Sequence, residues 1–329
     1  IGNFMSIEKK PLVNDLYTAD PSAHVFNGKI YIYPSHDEDI DVENNDNGDQ
    51  YDMKDYHVYE MPDTETYPRD CGCVLKLEDI PWASKQLWAP DCVEKDGKYY
   101  FVFPARDKEG FFRIGIATSD KPEGPFKAEP NYIPGSYSID PCMFPDTDGK
   151  YYLTFGGIWG GQLDQYRNNK WSADNKEPKG EEEACTAKIA LMKDNLLEMA
   201  EEPKDIMILD ENGKPLTGGD EARRYFEDPW MFKKGDTYYF TYSTGTTHLL
   251  CYATSKSVYG PFTYGGVILT PVLGWTTHHS ILEYNGKWYL FYHDCERSGG
   301  INQKRNVKFR ELKFNDDGSI QTMDGSLDK

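Results

Sequence analysis

Short apolar strands, each closed by a tight Gly turn and answered by a Tyr-rich strand, recur five times along the chain. The copies occupy residues 20–33 (DPSAHVFNGKIYIY), 91–103 (DCVEKDGKYYFVF), 140–155 (DPCMFPDTDGKYYLTF), 228–242 (DPWMFKKGDTYYFTY) and 279–292 (HSILEYNGKWYLFY). Self-similarity at roughly 50 residues or more marks a propeller, in which no blade buries its faces alone. Second hairpins lie between the copies. Two of them repeat, Ala117-Thr118-Ser119 leading to Gly124-Pro125-Phe126 and Ala253-Thr254-Ser255 leading to Gly260-Pro261-Phe262. A blade therefore has about four strands. The pattern predicts an all-β, five-bladed β-propeller with an axial funnel pocket, residues 1–329 forming one catalytic domain.

Two insertions interrupt the period. Residues 37–56 are dense in Asp and Asn and read as a solvated or pocket-rimming loop. Aligned on Gly48 the loop offers Glu43, Asn45 and Asn47, but Lys54 stands where a helix-loop-helix calcium site closes with Glu. Residues 160–222 contain the one plausible short helix, near residues 194–202, and read as a lid or wall at one end of the propeller.

Composition narrows the partners. A net charge of −19 repels nucleic acid and anionic membrane surfaces, and no run approaches the roughly 20 apolar residues of a membrane span. The 24 Tyr, 16 Phe and 7 Trp suit sheet faces and also sugar stacking. Seven scattered cysteines without a C-x-x-C pair read as free thiols in a reducing compartment. Nothing in the first 21 residues resembles a signal peptide, so the expected location is cytoplasmic, or beyond it with a leader removed. Ile1 to Phe4, ahead of Met5, read as a remnant of cloning.

The position before each first strand carries Asp20, Asp91, Asp140, Glu227-Asp228 and His278-His279. In Asp20-Pro21, Asp140-Pro141 and Glu227-Asp228-Pro229 a carboxylate sits at or beside a proline, which biases its predecessor toward extended backbone. One Asp-Pro alone is a common turn. Three on one axis in a protein for neutral ligands point to glycosidic-bond hydrolysis, which needs a proton for the departing oxygen and a base or nucleophile at the anomeric carbon. Asp91 follows its proline instead, and serves its turn or the substrate. Asp228 in an extended segment faces away from Glu227.

These three segments resemble the catalytic signatures of glycoside hydrolase family 43. Tyr-Pro-Ser-His-Asp (33–37), Met-Lys-Asp-Tyr-His-Val-Tyr (53–59), Gly-Gly-Ile-Trp-Gly-Gly-Gln (156–162), Thr-His-Leu-Leu-Cys-Tyr-Ala (247–253) and Gly-Trp-Thr-Thr-His-His-Ser (274–280) are similar to its bifunctional β-xylosidase/α-L-arabinofuranosidase group. The resemblance implies inverting, exo-acting release of xylose and L-arabinofuranose from short oligosaccharides. It implies Asp20 as general base, Glu227 as general acid, and Asp140 as the group that positions Glu227 and raises its pKa. Arg305 would reach Asp140 and the substrate hydroxyls, and His248 would help place the acid. Trp88 and Trp159 are candidates for the sugar face, against plain core packing, and His36 for pocket lining. The resemblance also implies a central divalent cation, Ca2+ above all, met by His278 and mostly by water, against a plain hydrogen-bonding histidine. Adjacent His278 and His279 face opposite ways, so only one can reach the axis. The rival readings are an endo-arabinanase, which needs an open groove, and a sugar-binding propeller without turnover, which has little use for three converging acids.

Overall fold

In a computed structural model, which describes residues 6–327, five antiparallel sheets stand around one axis. The reading of residues 1–4 as a remnant ahead of Met5 falls outside the described residues. Blade one is Tyr17–Phe26, Lys29–Asp37, Asp55–Met61 and Arg69–Lys76, paired in that order. Its first hairpin turns on Asn27-Gly28, both left-handed at φ +54° and +77°. Asp96-Gly97 and Asn285-Gly286 do the same in blades two and five, the geometry of a type I′ turn that matches strand twist.

Blade five has three strands, His279–Tyr284, Lys287–Asp294 and Asn306–Leu312. The N-terminal segment completes it: the amides of Lys9, Leu12 and Thr18 donate to the carbonyls of Phe309, Val307 and Arg305 at 2.9–3.0 Å. The two ends of the chain thus close the ring. Five apolar clusters fill the seams. Tyr33, Phe101 and Phe103 join blades one and two; Val102, Met143 and Leu153 join two and three. Phe144, Met231 and Phe240 follow between three and four, Trp230, Ile281 and Leu290 between four and five, and Ile32, Phe291 and Phe309 between five and one. Each blade buries its faces on its neighbours, as the repeat requires.

Residues 160–222 are not wholly an insertion. Lys188–Leu191 and Lys204–Asp205 are the outer strands of blade three, and Ile208–Leu209 pairs in parallel with Phe262–Leu269 of blade four. The helix expected near residues 194–202 is absent. Leu196 is left-handed at φ +58°, the Asn195 side chain accepts the Leu197 amide at 2.9 Å, and Met192 bridges Met199. Asn's local hydrogen bond competes with a helix and favours this tight turn.

The expected extended backbone before each proline is also corrected. Asp20, Asp140 and Asp228 have φ of +51°, +57° and +65°. Strand register slips between Ala19 and Ser22, and again between Glu227 and Trp230. Proline offers no N–H to a ladder, so Asp20-Pro21 and Asp228-Pro229 bulge out of their sheets at the inner rim, while Asp140-Pro141 stands just ahead of the strand Cys142–Pro145. The left-handed residue, tolerated by Asp, re-aims the carboxyl beside it.

Candidate active site

The bulges leave backbone amides that neighbouring blades capture. The Asp20 amide donates to His293 Nδ1 of blade five at 3.0 Å, and the Asp228 amide to Asp140 Oδ2 of blade three at 3.0 Å. Asp20, Asp140 and Glu227 consequently converge on one cavity of about 190 Å³, together with Trp88, Trp159, His278 and Arg305. All three carboxyl-bearing residues are buried, Asp20 and Asp140 at 6% exposure and Glu227 at 9%.

Their surroundings differ. Asp20 Oδ2 accepts the Ser35 hydroxyl at 2.6 Å, and Oδ1 lies 3.3 Å from Arg305 Nη1. Burial pushes its pKa up, but Arg305 above all, with His278, His293 and Ser35, outweighs it and holds the carboxyl well below the usual range. The histidines lend little at neutral pH, because burial drives His278 down to about 4 and His293 to about 3. Arg305 is the lasting cation.

Glu227 has no such partner: among the described residues no protein group donates a hydrogen bond to its carboxyl. Burial first, then the Asp20 charge, pushes it up to about 8. Asp140 is also pushed well up, by burial and then by Glu227 and Asp20. Asp140 accepts the Asp228 amide, a bond that opposes its rise, whereas Glu227 has no donor to oppose its own. The expected lift of Glu227 is present; its chief cause is burial.

Arg305 sits differently from expectation. Its Nε and Nη2 grip Asp37 at 2.9 and 2.7 Å, its Nη1 reaches Asp20, and no hydrogen bond runs to Asp140. Its fork is spent mainly on Asp37 and Asp20. His36 does not line the cavity. Asp37 turns inward to Arg305, so His36, one residue earlier on the strand, faces the other side and pairs with Asp55 at 2.5 Å. His248 stands behind the cavity wall, its Nδ1 2.6 Å from the Trp275 carbonyl and its ring edge-on to that indole. It braces Trp275 and not the acid.

Trp275 itself, Tyr51 and Thr276 line the cavity and escaped singling out. Trp275 stacks on Trp159 at 5.5 Å and 20°, and Trp159 Nε1 donates to Glu177 at 2.6 Å. Trp88 both lines the cavity and packs into the first seam, its indole so close to Gly48 that a Cβ there would meet the ring at 2.5 Å. The Asp/Asn-rich loop rims the pocket through Asn44, Asn45, Gln50 and Tyr51. Residues 160–222 back the wall through Glu177 without lining it.

A profile of Glycosyl hydrolases family 43 matches residues 9–320. The chain belongs to that family. It is a glycoside hydrolase on a five-bladed β-propeller. A xylosidase/arabinosidase of Bacteroides ovatus is 57% identical over 98% of this chain and 99% of its own. Xylosidase/arabinosidase 43A of Humicola insolens is 58% identical over 95% and 98%. A β-xylosidase/α-arabinofuranosidase from a compost metagenome, solved with xylotriose in a calcium-free form, is 55% identical, covers 98% of both chains and superposes with a TM-score of 0.95.

The remaining family 43 expectations concern the two histidines and a central cation. His278 lines the cavity, while His279 turns away, its Nδ1 on Asp228 and its Nε2 2.6 Å from Thr241. His278 lies 3.5 Å from Asp20 Oδ1 and 3.0 Å from Asp228 Oδ1. Both ring nitrogens of His278 thus already face carboxyl oxygens, Nδ1 that of Asp20 and Nε2 that of Asp228, whose pKa burial pushes well up so that it can donate to Nε2. A cation met by His278 would have to replace one of these contacts, with water filling its other positions. Among the described residues the one group of three His, Cys, Asp or Glu ligand atoms within 4.8 Å of one another is His36, Asp55 and His57, away from the axis.

Proposed function

We propose that this hydrolase removes single xylose units from the non-reducing end of β-1,4-xylo-oligosaccharides, and L-arabinofuranose from α-linked substrates, by single-step inversion. The observation that carries the roles is the opposite surroundings of two buried carboxyls on one cavity: Arg305 and Ser35 donate to Asp20 and favour its ionised form, and no described group donates to Glu227, which favours its protonated form. Asp20 takes a proton from water as the water oxygen bonds the anomeric carbon. The glycosidic C–O bond breaks as Glu227 gives its proton to the leaving oxygen. Exchange with solvent then restores both groups. Asp140 holds the backbone of the acid-bearing strand through the Asp228 amide.

The small cavity supports exo action. About 190 Å³ lies below the roughly 300–1,000 Å³ of drug-sized ligand clefts, and the loop of residues 38–54 rims it where an endo-acting groove would run open. The stacked Trp159 and Trp275 offer apolar faces to a sugar ring, and Trp88 lines the same cavity. A divalent cation at His278, when bound, would supply positive charge beside Asp20.

The test is hydrolysis of xylobiose and of 4-nitrophenyl β-D-xylopyranoside and α-L-arabinofuranoside, with the first-formed anomer followed by proton NMR. Release of α-xylose from the β-linked substrates is expected. First-formed β-xylose would overturn the inverting assignment, and binding without turnover on every substrate would overturn the hydrolase roles. Chelator treatment that lowers kcat in wild type, with no further loss in His278→Ala, supports the cation; an unchanged kcat removes it from the scheme.

A further inference from the structure

The loop that rims the pocket leaves blade one after Asp37 and returns at Asp55, so its two stems are the neighbouring strands Lys29–Asp37 and Asp55–Met61. On the face away from the pocket, these stems carry His36, Asp55 and His57. His36 Nδ1 lies 2.5 Å from Asp55 Oδ1, and His57 Nε2 lies 3.7 Å from Asp55 Oδ2. The two rings stand 5.2 Å apart at 75°, so they converge without stacking. From the next strand Asp70 takes the other nitrogen of His57, with Nδ1 3.0 Å from Oδ1 and 3.1 Å from Oδ2.

We propose that His36, Asp55 and His57 form a binding site for a transition-metal dication of the zinc class, clamping the base of the pocket-rimming loop. Three features carry it. Two imidazoles and one carboxylate are the donor set such ions take with a fourth position left to water. Ligand atoms on a tetrahedral ion with bonds of about 2.0–2.2 Å stand about 3.3 Å apart; the three present lie within 4.8 Å of one another, so side-chain shifts below about 1 Å complete the site. Asp70 adds the outer carboxylate that fixes a ligating histidine, leaving Nε2 of His57 free to face the ion.

Access is open, because the His36, Asp55 and His57 side chains are 15%, 24% and 15% exposed. A hard, oxygen-seeking ion such as Ca2+ is a poor occupant of a site with two imidazoles. Bound metal would tie together strands separated in sequence by the whole loop, and the ordering gained by closing such a loop grows with its length. One stem ends in Asp37, which grips Arg305 and through it Asp20. Occupancy is therefore expected to tighten the pocket rim, lowering KM more than it changes kcat.

The untagged full chain, stripped with chelator and dialysed into Co2+ or Zn2+, tests this by metal content and, for Co2+, by the visible absorption of a four-coordinate ion. Wild type and His278→Ala are expected to hold one equivalent that His57→Gln and His36→Gln lack, and Asp70→Asn to bind about 10–100-fold more weakly. Zn2+ is expected to raise the melting temperature of wild type and His278→Ala, and to leave that of His57→Gln unmoved. Equal uptake by wild type and both His→Gln variants would overturn the proposal, as would loss of the same equivalent in His278→Ala. None of these readouts depends on turnover, so the site stands or falls apart from the proposed hydrolysis.

Discussion

Asp20 and Glu227 are equally buried acids on one cavity, yet their protons behave oppositely. Around the Asp20 carboxyl blades one and five supply a guanidinium and a serine hydroxyl, while His293 accepts the Asp20 amide. Around Glu227 blades three and four supply no donor, and the neighbours Ile139 and Gly157 are apolar, a Cβ on Gly157 lying 3.3 Å from that of Glu227. Burial favours the neutral form of both. What separates them is compensation: Asp20 receives it and Glu227 does not. A propeller can do this because each carboxyl hangs at a seam whose second side belongs to a different blade.

The widest break in the comparison comes from truncating each acid. Glu227→Ala and Asp20→Ala should each lower kcat/KM about 10²–10⁴-fold on xylobiose. On a 4-nitrophenyl xyloside, whose leaving group needs little protonation, Glu227→Ala should lose far less while Asp20→Ala still loses the full factor. Equal losses on both substrates would reverse or dissolve the assignment. In wild type, kcat/KM should fall as pH rises through about 8, where Glu227 gives up its proton.

Next is Arg305→Met, which removes the compensation on the Asp20 side. Arg305 is 3% exposed and serves two buried carboxylates, so the loss should cost about 3–5 kcal/mol of stability, read by denaturant unfolding. The sign for Asp20 is that of a depressed carboxyl: its stabilisation is full above the unfolded pKa of about 3.9 and lost as pH falls below it. Arg305→Met should therefore also move the acid limb of the rate profile upward. A wild-type acid limb retained in the variant would show that Arg305 is not what ionises Asp20.

Much of this contrast was legible in the chain. Five strand-turn-strand phrases, four of them with an Asn-Gly or Asp-Gly turn, are local signals, so the blades and the three carboxyl positions could be read directly. The Asp-Pro bulges could not, because a proline's neighbour is biased to extended backbone until a paired strand on the other side forces the slip. Ser35 meets Asp20 from the next strand of the same blade, but Arg305 and His293 meet it from 285 and 273 residues away, a convergence created only by closing the ring. His36 was misplaced by one step of strand alternation, since Asp37 and not its neighbour takes the inward face. Trp275 stood in a recognised motif, but its stack on Trp159 joins segments more than a hundred residues apart.

The Glu227 side is sharpened by Glu227→Gln, which keeps shape and removes charge. A carboxyl with a raised folded pKa destabilises as pH rises from its unfolded value of about 4.3 toward about 8, because the folded state then holds the extra proton. Below about pH 4 the Glu227 proton separates the variant from wild type by nothing, so their melting temperatures should differ there only by the constant cost of the substitution. At pH 9 the variant should be more stable, by an amount on the order of a few kcal/mol. A difference independent of pH would place the proton elsewhere in the Asp140–Glu227 pair.

Ser35→Ala makes the smallest change to the comparison and tests whether Asp20 owes its state to one cation or to a set of donors. Ser35 Oγ donates to Oδ2 at 2.6 Å, while Arg305 engages Oδ1, so the two act on different oxygens and their effects should add. A hydrogen bond to an ionised group contributes about 1.5–3 kcal/mol, which corresponds to the acid limb moving up by about one to two pH units. Because Arg305 still holds Asp20 ionised at neutral pH, kcat/KM at pH 7 should fall by less than about tenfold. An acid limb unmoved in Ser35→Ala but raised in Arg305→Met would assign the ionisation of the base to the guanidinium alone.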